Sequence, residues 1–404
     1  MKKIFLGFGF GAIQAGLFLY EAHRSGNFDR LVAVEVMPDT VRAIRNAGGR
    51  YSLNIAGQDS IERHEIDNLT ILNPLEPGGK KKIISFIAEA DEISTALPSV
   101  SFFTSGNISS VASLLAAGFA HPDRDRNKQT IVYAAENHNH AAEILQKAVE
   151  DALDDKRAIA NVRFLNTVIG KMSGVVTDPV QIADQSLAFI APDLTRCFLV
   201  EEFNRILISR INLPGFDRGI EVFEEKDDLL PFEFAKLYGH NATHALFGYL
   251  AARRGYAYMD QIRADRDQFE FGRAAFLEES GKSLIRKYSG LDLLFTESGY
   301  IAYVEDLLER MMNPHLRDAV ERVIRDPLRK LGWDDRLIGV MRLALAQGIK
   351  PVRFAKGAAA AVALLQAEDP AAWARIEEGW KKSGASPKRS LEIKSLIAQN
   401  STVH

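Results

Sequence analysis

IFLGFGFGAIQAGLFLYEAHRSGNFDRLVAVEV, residues 4–36, decides how the chain begins to fold. IFLGF (4–8) is a short apolar strand. GFGAIQAG (9–16) is a glycine turn that opens a helix running to about Arg24, and LVAVEV (31–36) is a second buried strand. A strand, a tight turn, a helix and a parallel strand within about thirty residues form the context that a dinucleotide-binding fingerprint requires. Gly9 and Gly11 take the first two fingerprint positions, where a missing Cβ permits the turn and the approach of a pyrophosphate. Ala12 and Ile13 begin the helix, whose first N–H groups face the anion. The third position is Gln14 in place of glycine; a register on Gly7 and Gly9 instead puts Ala12 third. Glu35, near the end of the second strand, suits the adenosine ribose hydroxyls and repels a 2′-phosphate, which favours NAD.

The rest of the chain bounds the answer. A length of 404 residues suggests two domains. A net charge of −3 offers no field for nucleic acid or membrane. Met1-Lys2-Lys3 and the run behind it imitate a signal peptide, but four glycines break that run. The single cysteine, Cys197, excludes an intrachain disulfide and fits a reducing cytoplasm.

Further β segments are expected at 51–57, 69–75, 101–106, 130–137 and through 160–212, with helices at 82–90, 108–119 and from 138. Thr104 and Ser105, with Gly106 and Asn107, read as a strand end touching the nicotinamide ribose. Asn137 ends the 130–137 strand, where it either caps the next helix or donates its amide to a substrate. His138 and His140 lack a third ligand at usual spacing, so no metal is expected. NLPGFDRG (212–219) has the composition of a linker. Past about residue 228 the pattern is helical throughout, and the last residues are expected to fray. The expectation is a Rossmann-like α/β domain over 1–213 and an all-α domain over 214–404.

Within the second domain, EFAKLYGHNATHAL (233–246) reads as one helix. On a helical wheel with Lys236 as zero, His240 and Glu233 fall close to the lysine, His244 within a quarter turn of it, and Asn241 well round to the side. An amine, two imidazoles, a carboxamide and a carboxylate thus share one broad side, which is either a solvated face or a site.

KLYGHNATH (236–244) matches a K-x4-N-x2-H signature, and the chain resembles the polyol-specific long-chain dehydrogenases, the mannitol dehydrogenase family. GFGAI (9–13), AAEN (134–137), EESGKSLIRKY (278–288), NPHLRDAVERVIRDPLRKL (313–331), DRLIG (335–339) and KGAAAAVALL (356–365) extend the match collinearly. The C-terminal blocks are most similar to the mannitol-phosphate branch. The resemblance implies hydride exchange between NAD and a secondary alcohol of a polyol or sugar phosphate, without metal. It implies Lys236 as general base, Asn241 and Asn137 as donors to the reacting oxygen, and His244 orienting the substrate. Glu233 would relay the proton, as in one branch of the family. His240 has no counterpart in the signature and reads as a wall or surface residue. Arg322 and Lys330 would line the substrate pocket, with Arg329 and Arg336 as further candidates for a phosphate. Gly170–Ser173 and residues 213–230 depart from the mannitol-phosphate branch, in regions expected to shape that pocket. An unphosphorylated polyol or hexuronate is the alternative substrate, and a silent NAD-binding sensor the alternative role. A cytoplasmic monomer or homodimer is expected, with no nucleic-acid or membrane partner.

Overall fold

The computed structural model describes residues 3–106 and 109–401. The chain divides into two compact units, Met1–Leu230 and Pro231–His404.

Among the described residues the first unit contains twelve strands: β1 (Ile4–Phe8), β2 (Arg30–Val34), β3 (Tyr51–Ala56), β4 (Ile61–Ile66), β5 (Leu69–Leu72), β6 (Glu92–Thr95), β7 (Thr130–Ala134), β8 (Val162–Val168), β9 (Ser173–Val176), β10 (Cys197–Glu201), β11 (Leu207–Ser209) and β12 (Glu224–Lys226). The main sheet runs β12-β11-β8-β7-β6-β1-β2-β5. Its six strands from β8 to β5 are parallel. Counted among themselves they have the order 3-2-1-4-5-6, which reverses direction at β1 and β6, the switch point where such sheets bind ligands. Strands buried on both faces need apolar residues at every position. β1 accordingly sends Ile4, Leu6 and Phe8 into one core and Phe5 into the other. A second sheet, β4-β3-β10-β9, covers the helix that follows the glycine turn. That helix approaches closely because of Gly16, where a Cβ would lie 2.6 Å from a methyl of Val200 on β10.

The third fingerprint position has been solved in reverse. Gln14 is fully buried, and its amide lies over Gly7 on β1, where a Cβ would come within 2.0 Å of it. Its Oε1 accepts from Ser94 Oγ at 2.9 Å. The helix carries the bulk and the strand carries the glycine, so helix and strand still pack.

The first unit continues past the expected 213/214 boundary because residues 214–230 are tied into the sheet. β12 pairs with β11. The buried Glu92 of β6 accepts from the Gly219 N–H and, at 2.9 Å, from the Tyr133 hydroxyl. Gly219 has no Cβ because the Phe28 ring fills that space. Lys3 Nζ bonds Asp217 at 2.6 Å.

Other expectations are corrected. Residues 100–103 form a 3₁₀ turn and not a strand, because the central strand is β6, the shorter EIST at 92–95. β7 ends at Ala134, before Asn137, and β2 ends at Val34, before Glu35. SLAFIA (186–191) is irregular, with Leu187, Ile190 and Ala191 turned into the core and Phe189 exposed.

The second unit is helical, its one β feature among the described residues being the isolated bridge between Tyr258 and Ala319. Longer helices cover Glu297–Met311, Arg336–Ala346, Val352–Glu368, Ala372–Lys382 and Pro387–Gln399. The last overturns the expected fraying: Ser386 caps it, Pro387 starts it, and Ile393, Leu396 and Ile397 are buried. Residues 315–325 do not form one helix. A 3₁₀ turn at Pro314–Leu316 precedes a short helix, Val320–Ile324, and Asp326 then turns left-handed (φ 59°) before Pro327–Lys330. No described helix is long and apolar enough to cross a membrane.

If Gln14 depends on an empty Gly7, Gly7→Ala should destabilise the protein by about 1–3 kcal/mol through overpacking. Adding Gln14→Ala should recover most of that loss. Chemical denaturation of both variants checks the pair.

Candidate active site

In the first unit, the loops at the C-terminal ends of β1, β2, β6 and β7 carry the predicted nucleotide residues. Gly9 has φ +88° and donates its N–H to Val34 O at 2.8 Å, tying the turn to the end of β2. A Cβ there would sit 2.9 Å from Ala96 O, so glycine is required by the fold itself. Gly11 differs: its φ is not positive and a Cβ would meet nothing within 4 Å. The fold does not demand glycine there, whereas an anion held above the helix start does. Gly11 is exposed, Ala12 and Ile13 are half-buried, and all three lie where first-turn N–H groups have no intrahelical acceptor. These residues therefore fit a dinucleotide. Glu35 lies just past β2, with one carboxylate oxygen accepting from the Val36 and Met37 N–H groups at 2.7 and 2.9 Å. This fixes the carboxylate and leaves its second oxygen to accept from a diol.

Thr104 and Ser105 are exposed, in the loop after β6 and not at a strand end. Ser105 Oγ donates to Ser101 O at 2.9 Å. Asn107 lies outside the described residues. Sequence reasoning missed Glu136. Its buried carboxylate accepts from Thr95 Oγ1 and from the Leu97 N–H, both at 2.9 Å, and so joins the ends of β6 and β7. Burial raises its pKa. The signal was present in AAEN, an acid beside the asparagine that drew attention. Asn137, His138 and His140 are exposed at this turn. His138 Nδ1 accepts from the His140 N–H at 3.1 Å. Among the described residues no group of three His, Cys, Asp or Glu is arranged to hold a metal. Lys171, in the divergent Gly170–Ser173 stretch, is buried and donates to Glu201 O and, at 2.8 Å, to Phe203 O.

In the second unit, residues 233–246 do not form the uniform α-helix expected. Leu230–Phe234 is α-helical, Ala235–Asn241 is a π-helix, and Ala242–Arg254 returns to α. The reason is packing at Gly239. A Cβ there would meet Phe276 Cε2 and the Tyr300 hydroxyl, each at 2.8 Å. Tyr300 also packs on Gly281, which ends a second π segment, Ala275–Gly281. A π turn closes i→i+5 bonds, so residue i+5 rises above residue i. Asn241 thereby moves from the flank of the helix to the face of Lys236. On a turn of this width the lysine and the asparagine of the signature share a helix face.

Lys236 keeps part of its surface open, yet enough protein surrounds the ammonium for burial to push its pKa down to about 8. The Arg336 guanidinium adds to the lowering and Glu233 opposes it. His240 is buried and held well below the usual imidazole range, first by burial and then by His244, Arg310, Lys236 and Arg336. It is a neutral ring among cations, and its burial overturns the surface reading of His240. His244 Nε2 lies 2.8 Å from Asp318 Oδ2.

The four predicted substrate cations divide. Arg336 bonds Asp335 at 2.8 Å and acts on both Lys236 and His240. Lys330 is buried and donates to Arg325 O; burial, Arg336 and Arg329 lower its pKa to about 8. Arg322 binds Asp318 Oδ1 through Nε and Nη2, at 2.8 and 2.6 Å. Arg329 is half exposed and pairs with Asp326 and Asp335 at 2.9 and 3.4 Å. Two residues were missed. Asp318 is buried between His244 and Arg322, and Arg310, paired with Asp306 at 3.1 Å, contributes to the field at His240.

Comparison with known proteins places this arrangement. The Mannitol dehydrogenase Rossmann domain matches residues 3–214, and the Mannitol dehydrogenase C-terminal domain matches residues 228–402. The chain is 30% identical over 367 residues to the mannitol-1-phosphate 5-dehydrogenase of Caldanaerobacter subterraneus subsp. tengcongensis, covering 90% of this chain and 87% of that one. It is 28% identical over 346 residues to that of Lacticaseibacillus casei, covering 85% and 82%. Among solved structures, Pseudomonas fluorescens mannitol 2-dehydrogenase, in ternary complex with NAD and D-mannitol, superposes with a TM-score of 0.71 at 16% identity, covering 99% and 91%. A substrate-free D-sorbitol dehydrogenase gives 0.73 at 16% identity, covering 91% and 81%. The chain belongs to the mannitol dehydrogenase family.

If Arg336 contributes to the lowered pKa of Lys236, Arg336→Met should raise that pKa while leaving it below that of an exposed lysine, because burial is the larger cause. A ¹³C-methyl-lysine titration followed by NMR, with the signal assigned through Lys236→Met, checks this.

Proposed function

We propose that this member of the mannitol dehydrogenase family is an NAD-dependent oxidoreductase acting on a secondary alcohol of a polyol phosphate. The observation that carries the reading is Lys236, an amine brought to about 8 by burial and a neighbouring guanidinium. A general base works best with its pKa near the operating pH. NAD, when bound, supplies the hydride acceptor. The amine of Lys236 takes the hydroxyl proton, and Glu233, one turn away, offers a route for that proton onward. Asn241 and Asn137 donate amide N–H groups to the oxygen as it gains charge, which stabilises it most when water is excluded. His244 orients the substrate. Gly9, Gly11, Ala12 and Ile13 hold the pyrophosphate, and Glu35 takes the ribose hydroxyls and selects NAD over its 2′-phosphorylated form. Thr104 and Ser105 line the nicotinamide side.

The names of the relatives support the phosphate. Arg336 and Lys330 are the cations that suit it best, since they lie in the same field as Lys236 and His240. A specific observation favours a second reading. Arg322 and Arg329 are already engaged by Asp318, Asp326 and Asp335, which suits an unphosphorylated polyol or a hexuronate carrying less charge. The single buried cysteine, with a thiol raised to about 11 by burial, is consistent with a cytoplasmic enzyme of no redox role at that residue.

The test follows absorbance at 340 nm with NAD against polyols and polyol phosphates, and with NADH against ketoses, ketose phosphates and keto-hexuronates. Turnover confined to phosphorylated substrates is expected; turnover confined to the others establishes the second reading. Lys236→Met should lower kcat by roughly 10²–10⁴-fold while NADH binding, read by fluorescence, persists. Alcohol oxidation needs the free amine, so kcat/KM for oxidation should rise as pH passes through about 8, and the reverse reaction should fall over the same range. NADH binding with no turnover of any polyol would leave a sensor.

A further inference from the structure

Asp318 is fixed through both its backbone and its side chain. Its backbone carbonyl accepts from the Met259 N–H at 2.9 Å, and Val320 N donates to Ala257 O at 2.9 Å, so the chain on both sides is locked by the Tyr258–Ala319 bridge. The carboxylate is 8% exposed and uses both oxygens: Oδ2 faces His244 Nε2, and Oδ1 takes two bonds from Arg322. A carboxylate oxygen only accepts, so the nitrogen facing it must carry the proton. Burial would push the Asp318 carboxyl up, but the His244 bond and the Arg322 guanidinium outweigh it and hold the group below its usual range.

Resting on the reading of His244 as a substrate-orienting residue, we infer that Asp318 is the positioning residue of the reaction. It fixes His244 as the Nε2–H tautomer and leaves Nδ1 as an acceptor for a substrate hydroxyl. Arg322 is the third member. It occupies one oxygen and keeps the other directed at the imidazole. A histidine tautomer is set by the hydrogen bond its other nitrogen makes. The arrangement therefore recognises an O–H donor, the chemistry of a polyol carbon next to the reacting one.

The geometry gives an unusual test. In Asp318→Asn, the Arg322 guanidinium claims the one remaining carbonyl oxygen, because a charge-assisted bond is the stronger. The amide NH₂ then faces His244 Nε2, which must give up its proton and become the acceptor. The tautomer should flip. Removing Arg322 as well lets the carboxamide turn, so Asp318→Asn/Arg322→Met should return the proton to Nε2. In ¹⁵N-histidine-labelled full-length protein at neutral pH, with His244 assigned through His244→Gln, the wild type should show the proton on Nε2. The single variant should show it on Nδ1, and the double variant on Nε2 again. In turnover, Asp318→Asn should lose on the order of 10–100-fold in kcat/KM for the polyol, the scale for loss of a hydrogen bond to a charged group, with KM for NAD unchanged. An Nδ1–H tautomer in the wild type, or the same tautomer in all three proteins, would overturn the inference. Should Asp318→Asn fail to fold, Asp318→Glu keeps the charge and should keep the proton on Nε2; Nδ1–H there overturns it equally. A wild type that turns over no polyol sinks the functional reading, and the tautomer still decides the pairing.

Discussion

The contact on which the second unit depends is a ring against two missing side chains. Tyr300 is buried, with its hydroxyl against Gly239, its ring edge against Gly281 and a bond to Ser280 at 3.3 Å. Each glycine lies in a π segment. A π turn is costly alone, since it widens the backbone and spoils its own packing. Here the aromatic fills the space that the widening opens. The wider turn also changes which residues share a face: an α register would put Asn241 well round from Lys236, whereas five residues on a π turn bring the two closer in azimuth.

Around this helix, charge is arranged to be partly neutralised. Most arginines near the site meet an aspartate: Arg322 with Asp318, Arg329 with Asp326 and Asp335, Arg336 with Asp335. Lys236 and His240 feel the net excess, and both lean toward their neutral forms. For the imidazole, neutrality avoids the cost of a charge taken out of water; for the amine, it is the form that the base proposed above requires. The helices near the C-terminus help to hold this geometry. Trp380 donates its indole N–H to Leu331 O at 2.7 Å, and Arg342 lies over the Trp333 ring, which fixes the turn that leads to Arg336.

The sequence was most legible where local rules and tertiary structure agree. β1, the glycine turn and β2 follow from a buried strand pattern and from glycines that the turn needs. The change from α/β to helix was equally plain. The signature residues were also found, but their geometry was not, because nothing local in KLYGHNATH announces a π turn; its cause lies in Phe276 and Tyr300, far along the chain. β6 was missed because EIST is short and polar in composition, though all four residues are buried. Residues 212–219 looked like a linker since NLPGFDRG reads as a turn, while the bonds from Glu92 and Lys3 that secure them are invisible to periodicity. Asp318 escaped for the same reason: an acid in a polar stretch gains meaning only once His244 and Arg322 are seen on either side.

The exchange between Gly7 and Gln14 makes these two positions epistatic. Gln14 is held by Ser94 as well, but the space it fills is the space a side chain at residue 7 would need. A lineage that places glutamine on the helix must already have glycine on the strand, so the substitutions have a permitted order. A search for glycine at fixed helix positions will pass over such chains, although helix and strand still pack directly on one another through Gly7.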